Sequence, residues 1–152
     1  MRILGVISDT HGLLRDEALA LLRGVDHIIH AGDIGDPTII ERLETVAPVS
    51  AIRGNIDVEP WASKYAETLQ GTLFGQQIFV IHDLNDLAVR PIHLGSNLVI
   101  SGHSHRASVE TRNEILYLNP GSAGPRRFRL PITLATVQIA RGSLVPEIHE
   151  VV

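Results

Sequence analysis

Apolar and polar residues alternate in two different ways along the first third of the chain. Three near-continuous apolar runs predict strands covered on both faces of a sheet: 2–8, 26–31 and 48–54. Segments 16–22 and 36–46, which lie between them, carry apolar residues at helical spacing and predict helices. Asp36 is the expected N-cap of the second helix, with Pro37 in its first turn. This strand–helix order predicts parallel pairing of the strands.

Beyond residue 66 the pattern changes to paired strands. Residues 67–82 predict a hairpin around Phe74-Gly75-Gln76, and residues 106–119 predict a second hairpin around Arg112-Asn113. Four further elements are expected, a short helix at 86–93, a buried strand at 97–102 and two closing strands within 132–152. No repeat or linker divides the chain. The sequence therefore predicts a single domain, 1–152, of α/β class with an antiparallel end, two sheets and helices outside them.

Composition and charge exclude several classes of protein. The chain has 152 residues and is 44% hydrophobic, which suits one packed domain and excludes a disordered chain. Its net charge of -4 gives no general attraction to nucleic acid or to an anionic membrane. The absence of cysteine excludes disulfides, thiolate ligands and a cysteine nucleophile. Without a signal-peptide pattern or a run of about 20 apolar residues, we expect a cytoplasmic protein; a homo-oligomer is left open.

Polar residues follow the predicted strands at the points where the strands end. They are Asp, Asn and His residues, mostly beside Gly: Asp9, His11, Asp33, Asn55, His82, His103 and His105. Taken singly, such an Asp is more often a cap and such a His more often a satisfied hydrogen-bonding residue. Taken together they favour a site, because ligands bind at the carboxyl ends of strands in open α/β sheets. In "SGHSHRA" the two histidines are two residues apart, so both rings of an extended segment point the same way.

This set of side chains has the chemistry of a metal site. Nitrogen and oxygen ligands without sulfur suit Mn, Fe, Zn or Co. Seven ligands are too many for one tetrahedral ion and suit two ions, about 3.5–4 Å apart, that share a bridging carboxylate. Two divalent ions carry four positive charges, and the carboxylates of Asp9 and Asp33 neutralise two of them. The remaining charge of about +2 would attract a phosphate ester. A water that bridges the ions would lose a proton and become the nucleophile.

Six segments resemble the sequence blocks of a known family. In order, "SDTHG", "HAGDI", "RGNID", "VIH" and "SGHSH" resemble the five blocks of the calcineurin-like metallophosphoesterases. "NPGSAGPRR", at 119–127, resembles the "NPGS" block of their small one-domain prokaryotic branch. The resemblance implies a four-layer α/β/β/α sandwich with two mixed sheets, outer helices and a dinuclear centre. Manganese is a common activating ion in such proteins, with iron, zinc, nickel or cobalt also seen.

The resemblance also implies a role for each matching residue. One ion would be bound by Asp9, His11 and His105. The other would be bound by Asn55, His82 and His103, with Asp33 as the bridge and the Asn55 amide also touching the phosphate. The implied activity is that of a metal-dependent phosphohydrolase, with a small phosphodiester as the favoured substrate. Two alternatives stay open, a phosphomonoesterase and a non-catalytic interaction module, for which the retromer subunit of this fold is a precedent.

Departures from the family pattern concern residues beside the ligands. Ile56 stands where many relatives have a His proposed to protonate the leaving group, which predicts either a preference for good leaving groups or a different proton donor. Asp83 and Leu84 replace the Gly and second His of an "HGH" block, and Asp83 adds a negative charge that could narrow the choice of substrate.

Four further side chains or segments could support the site. Asp57 either buttresses a ligand histidine or caps a turn, and His30 is expected to orient Asp33. "NPGSAGP" is either an amide nest for a phosphate or a turn, with the turn favoured. Arg126 is a candidate substrate contact within a group of three arginines, for which a solvated loop is the more frequent explanation.

Overall fold

Ten strands and two α-helices are formed in the computed structural model, which describes residues 1–88, 90 and 94–152. The strands are β1 (Arg2–Ile7), β2 (His27–His30), β3 (Val49–Ala51), β4 (Thr68–Leu73), β5 (Gln76–Ile81), β6 (Leu98–Ile100), β7 (Ser108–Arg112), β8 (Ile115–Asn119), β9 (Thr133–Ala140) and β10 (Ser143–Glu150). The helices are α1 (Asp16–Leu21) and α2 (Pro37–Glu44). None of the helices in the described part of the chain is long and apolar enough to cross a membrane.

The strands form two five-stranded mixed sheets. The first sheet has the order β10-β9-β1-β2-β3, in which β1, β2 and β3 are parallel and β9 and β10 are antiparallel. The second has the order β4-β5-β6-β8-β7, with β5, β6 and β8 parallel. The predicted parallel pairing of the first three strands and the prediction of two mixed sheets are confirmed.

Two separate cores hold the layers together. Both helices cover the outer face of the first sheet, where Leu22 and Leu43 are fully buried against Ile7 and Ile28. The inner faces of the two sheets meet in the second core, in which Val6 of β1 and Ile100 of β6 are members. Strands covered on both faces need apolar residues at consecutive positions, which is why β1 and β6 are near-continuous apolar runs.

The start of α2 follows the sequence prediction in detail. The Asp36 carboxylate accepts a hydrogen bond from the Thr38 N–H at 2.9 Å, and Pro37 is the first helical residue. A side-chain acceptor at this position satisfies an amide that has no partner within the helix. The helix ends at Glu44, two residues before the predicted end.

The outer face of the second sheet is covered by less regular structure. A 3-10 helix, Leu84–Asp86, lies there, and Leu87, Leu94 and Tyr117 pack against the buried residues of this face. The helix predicted at 86–93 is not formed at residue 87, because the chain leaves the 3-10 helix with Leu87 extended. The remainder of that prediction includes residues 89 and 91–93, which lie outside the described residues.

Two local features differ from the predicted pattern. The second hairpin turns at Asn113-Glu114, one residue later than predicted, and both residues have positive φ, 52° and 65°. Two-residue hairpin loops favour this geometry because its twist matches that of the strands. A 3-10 helix, Pro60–Lys64, was not predicted; Pro60 starts it, and the Trp61 ring packs edge-on against Tyr65.

Candidate metal centre

The predicted ligands lie where strand ends from the two sheets meet. From the first sheet, the loops after β1 and β2 are joined by the hydrogen bond from the His11 N–H to the Asp33 carbonyl at 2.9 Å. From the second sheet, the Gly102 N–H donates to the His82 carbonyl at 2.9 Å. The His103 N–H then donates across to Asp9 Oδ2 at 3.1 Å and so connects the two sheets.

The two carboxylate oxygens of Asp9 have different surroundings. Oδ2 accepts hydrogen bonds from the Ser8 hydroxyl at 2.7 Å and from the His103 N–H at 3.1 Å. Oδ1 is buried without a hydrogen-bond partner. It lies 3.8 Å, 3.7 Å and 3.5 Å from the Nε2 atoms of His11, His82 and His105. One oxygen is therefore fixed by the protein and the other faces three imidazoles.

Asp33 has the same division between its oxygens. Oδ1 accepts a hydrogen bond from the Ile56 N–H at 3.1 Å. Oδ2 lies 3.4 Å from His11 Nε2 and 3.2 Å from His82 Nε2. The carboxylate thus stands between two histidines that the resemblance assigns to different ions.

Among the described residues, two groups bring ligand atoms within 4.8 Å of one another. They are Asp9, His11 and His105, and Asp9, Asp33 and His82. Four of their buried atoms have no hydrogen-bond partner: Asp9 Oδ1, His11 Nε2, His82 Nε2 and His105 Nδ1. Each such atom costs about 1–3 kcal/mol when it stays unsatisfied. The residues therefore fit divalent cations, which accept lone pairs from carboxylate oxygen and neutral imidazole.

Asn55 and His103 lie at the solvent-facing side of these groups. His103 Nδ1 is 3.2 Å from Asn55 Oδ1, and its ring centre is 5.2 Å from that of His82. Its other nitrogen, Nε2, lies 3.6 Å from Asp83 Oδ2. Both residues are exposed, and their side chains contact each other, whereas the backbone N–H of His103 donates to the buried Asp9 carboxylate. Their assignment to a second ion stays a prediction.

The backbone at the site is unusual. Five of the seven predicted ligands have positive φ: Asp9 (55°), His11 (46°), Asp33 (56°), His103 (72°) and His105 (62°). Residues other than glycine seldom adopt this region, and each instance costs of the order of 1–3 kcal/mol. Such strain persists where surrounding contacts fix the backbone, as the hydrogen bonds between these loops do here, and it is concentrated at functional sites.

Two glycines let the ligand loops approach each other closely. A Cβ atom on Gly54 would contact Asp33 Oδ1 and the Asp33 amide nitrogen. A Cβ atom on Gly102 would contact the Ser8 hydroxyl and lie 2.6 Å from Asp9 Oδ2. The glycines beside Asn55 and His103 are thus required by the space around the two carboxylates.

The adjacent carboxylates and the His82 ring shift one another's pKa values in opposite directions. Burial lowers the pKa of His82, but the adjacent carboxylates of Asp33 and Asp9 outweigh it and raise this pKa to about 9. Burial raises the pKa of Asp33, and the proximity of His82 more than reverses this, so that the pKa is lowered. His82 Nδ1 is 2.8 Å from the Ala31 carbonyl and donates to it, which directs Nε2 towards the carboxylates. A metal ion that binds His82 Nε2 must displace its proton.

Comparison with known proteins identifies the family to which the chain belongs. The family model for the calcineurin-like phosphoesterase superfamily domain matches residues 1–142. The chain belongs to this superfamily. The predicted resemblance is therefore confirmed, and membership supports metal-dependent hydrolysis of phosphate esters.

Individual relatives agree with this assignment. A probable metallophosphoesterase of Methanothermobacter thermautotrophicus is 33% identical over 140 residues, covering 85% of this chain and 81% of the relative. A solved structure described as a novel archaeal phosphodiesterase has a TM-score of 0.75 at 20% identity, covering 97% and 99% of the two chains. Vps29 of Chaetomium thermophilum has a TM-score of 0.79 at 15% identity, covering 98% and 95%. These two structures share the fold.

In this calcineurin-like phosphoesterase, His30 joins the loops that carry Asp9 and Asp33. The Gly32 N–H donates to His30 Nδ1 at 3.1 Å, so the ring proton must be on Nε2. Nε2 then donates to the Thr10 hydroxyl at 3.0 Å, which donates to the Ile34 carbonyl at 2.9 Å. This chain of hydrogen bonds needs a neutral ring, and burial lowers the His30 pKa to about 4. His30 therefore contacts the loop that carries Asp33 through backbone groups, the Gly32 N–H directly and the Ile34 carbonyl by way of Thr10.

A His30→Gln variant should have a weaker loss of stability in acid than the wild type. The folded-state pKa of about 4 lies below the unfolded value of 6.5, so unfolding takes up a proton between these values. The stability that His30 contributes is fully present above pH 6.5 and is lost as the pH falls towards 4. Its contribution should decrease by about 2 kcal/mol between pH 7 and pH 5. Urea unfolding of both proteins at the two pH values measures this difference. An equal decrease of the free energy of unfolding in both proteins would contradict the prediction.

Asp57 caps backbone amides from two loops. Its carboxylate accepts hydrogen bonds from the Ile34 and Gly35 N–H groups, both at 3.0 Å, and from the Gly54 N–H at 2.8 Å. Of the two roles left open by the sequence, the turn cap is the one observed. Within the described residues, no ligand histidine donates to this carboxylate.

Three side chains that support the ligand loops were not predicted from the sequence. Ser8 holds Asp9 Oδ2, Asn119 Nδ2 donates to the Gly102 carbonyl at 3.0 Å, and the Ser122 hydroxyl donates to the Asp9 carbonyl at 3.0 Å. The "NPGS" resemblance marked the segment of Asn119 and Ser122 without giving their partners. The amides of Gly121, Ala123 and Gly124 donate within the protein, as the favoured turn interpretation predicts.

The remaining predicted residues lie around the solvent-facing side. Ile56 is 40% exposed and donates its N–H to Asp33, so its backbone serves the site while its side chain cannot exchange a proton. Arg126 is exposed, and its guanidinium donates to the Leu130 carbonyl at 3.0 Å within its own loop. Its role in substrate binding stays a prediction.

Proposed function

We propose that this protein is a metal-dependent phosphodiesterase with two divalent ions, manganese first among the candidates. The observation that carries the proposal is the group of four buried, unpartnered ligand atoms of Asp9, His11, His82 and His105. No hydrogen-bonding side chain of the described residues satisfies them, and the family is metal-dependent. Bound ions would supply an activated water as nucleophile and positive charge for the phosphate.

Each protein residue has a definite part in this proposal. Asp9, His11 and His105 hold one ion, His82 with Asn55 and His103 holds the other, and Asp33 contributes to both. The hydrogen bonds to Asp9 Oδ2 and Asp33 Oδ1 fix the carboxylates, so that Oδ1 of Asp9 and Oδ2 of Asp33 would be the oxygens that hold the ions. The Asn55 amide lies at the exposed side, where it can contact a phosphate oxygen.

Charge at the entrance supports a diester in preference to a monoester. A cleft of about 300 Å³ beside His82 and His103 is lined by the acidic residues Asp83 and Asp86 and by Arg53 and Glu67, which form an ion pair at 3.3 Å. Two carboxylates disfavour a doubly charged phosphate more than a singly charged one. The absence of a proton donor at Ile56 favours substrates whose leaving group departs without protonation.

Hydrolysis of two matched aryl esters tests the proposal. With added Mn²⁺ the protein should hydrolyse bis-p-nitrophenyl phosphate with a kcat/KM about tenfold or more above that for p-nitrophenyl phosphate, equivalent to about 1.4 kcal/mol. Dialysis against EDTA should abolish both activities, and Mn²⁺ should restore them. Full activity after EDTA would refute the metal mechanism, and a faster monoester reaction would refute the diester preference.

The likeness in fold to Vps29 keeps a non-catalytic interaction module as the alternative. That alternative predicts bound metal without turnover of any ester. Elemental analysis of freshly isolated protein, followed by a panel of esters with each candidate ion, separates the two. The intact set of seven ligand-type side chains supports the enzyme.

A further inference from the structure

A surface loop beside the metal centre combines an exposed aromatic ring with a group of arginines. In this loop, residues 125–130, Phe128 is 89% exposed, which is the highest value among the large hydrophobic residues of the described chain. Arg126, Arg127 and Arg129 flank it and are also exposed. Among the described residues, neither Arg127 nor Arg129 forms an ion pair. The loop is therefore locally basic in a chain whose net charge is -4.

The loop has a defined backbone conformation. The Leu130 N–H donates to the Arg127 carbonyl at 3.1 Å, which closes a turn with Phe128 and Arg129 at its tip. Phe128 has a φ of 55°, a region that bulky side chains rarely adopt. A ring that is exposed and held in a costly conformation adds nothing to the core. Such backbone strain is concentrated at sites that bind ligands.

The two residues that precede the loop, Ala123 and Gly124, are attached to the ligand loop of Asp9. The Ala123 N–H donates to the Ser8 carbonyl at 3.1 Å, and Arg15 donates to the Ala123 and Gly124 carbonyls at 2.9 Å and 2.7 Å. A Cβ atom on Gly124 would contact the carbonyl oxygens of Asp9 and Thr10. The base of the loop is therefore positioned by the metal centre itself.

The loop lies on the side of the centre that carries His105. Gly121, shortly before the loop, packs against the segment that follows His105, because a Cβ atom on Gly121 would lie 3.3 Å from the Ala107 amide nitrogen. The cleft next to His82 and His103 has Asp83, Asp86 and an Arg53–Glu67 ion pair in its lining. Its described lining residues include no Phe, Tyr or Trp, whereas loop 125–130 offers an exposed Phe ring and arginines without ion pairs.

We propose that loop 125–130 binds the nucleoside arm of a phosphodiester substrate, with the base stacked on the Phe128 ring. This inference rests on the proposed function and names its substrate class. Every base has a π face, and stacking on an aromatic side chain changes binding by about fivefold or more per base. Arg127 and Arg129 add positive charge beside the stacked base, where they attract the anionic diester.

Two diesters with the same leaving group and the same charge test the inference. They are the p-nitrophenyl ester of thymidine 5′-monophosphate and ethyl p-nitrophenyl phosphate. The wild type should prefer the nucleoside ester, and a Phe128→Asn variant should reduce the ratio of the two kcat/KM values at least fivefold. Asparagine tolerates positive φ, so this variant removes the ring and keeps the turn. Phe128→Trp should retain the preference, and Val145→Thr, at an exposed position of β10, is the matched surface control.

A binding measurement decides the inference even without turnover. In the Phe128→Trp variant, thymidine 5′-monophosphate should quench the fluorescence of the new indole beyond any change in the wild type, whereas inorganic phosphate should not. Equal quenching by both compounds, or an unchanged substrate preference in Phe128→Asn, would overturn the inference. Adsorption of the loop to phosphatidylserine vesicles without nucleotide quenching would also overturn it, as a membrane contact. If neither diester is hydrolysed while quenching is observed, the proposed function fails and the nucleoside site stands.

Discussion

Replacing Asp33 by Asn should reduce the hydrolysis of an aryl phosphodiester by at least about 1,000-fold. Asparagine keeps the size of the side chain and an acceptor for the Ile56 N–H. It removes the negative charge that lies 3.4 Å from His11 Nε2 and 3.2 Å from His82 Nε2. Metal ions supply several kcal/mol of charge stabilisation to the transition state, and each 1.36 kcal/mol is tenfold in rate. Removal of the carboxylate that we propose both ions share should therefore decrease the rate more than removal of a supporting residue.

The measurement is kcat/KM with added Mn²⁺, together with the metal content of the protein after gel filtration. Both should fall in Asp33→Asn. Asp36→Asn is the matched control, because Asp36 is an exposed helix cap and Asn caps a helix equally well. Wild-type rate and metal content in Asp33→Asn would show that this carboxylate is not part of the centre.

Replacing Gly54 by Ala should reduce activity about 100-fold and lower the free energy of unfolding by about 1–3 kcal/mol. The added methyl group would contact Asp33 Oδ1 and the Asp33 amide nitrogen. The Asp33 carboxylate is held because Oδ1 accepts from the Ile56 N–H, and the Gly54 backbone is held because its N–H donates to Asp57. The backbone must shift instead, and a displacement of about 1 Å of a catalytic group costs of the order of 100-fold in rate.

Gly71→Ala provides the control for this substitution. Gly71 lies in β4 with no atom within 4 Å of an added Cβ, so the same methyl group should be accepted without loss of activity. Activity assays and urea unfolding of both variants give the comparison. The expected relation would be contradicted if Gly54→Ala matched Gly71→Ala in both rate and stability.

Much of the fold could be predicted from local patterns. The near-continuous apolar runs that became β1 and β2 belong to strands covered on both faces, and the Asp36-Pro37 pair starts α2 as predicted. Such signals depend on neighbouring residues in the chain. Positions such as the Asn113-Glu114 turn and the 3-10 helix at Leu84–Asp86 were less predictable, because short irregular segments take their conformation from what they pack against.

The candidate ligands were predictable for a related reason. Parallel strands end at one edge of their sheet, so polar residues after β1, β2 and β3 must come together. The sequence alone therefore determined which residue types collect at that edge, and their resemblance to the family blocks indicated the chemistry.

Contacts between distant segments were decided by the tertiary structure. The meeting of the two sheets places His103 against Asp9, fixes one oxygen of that carboxylate and leaves the other facing three imidazoles. The same packing sets the tautomer of His30 and places Ala123, shortly before the loop of Phe128, against Ser8 beside Asp9. None of these follows from local spacing, because each depends on the relative position of segments that are far apart in the chain and meet only when the cores between the layers form.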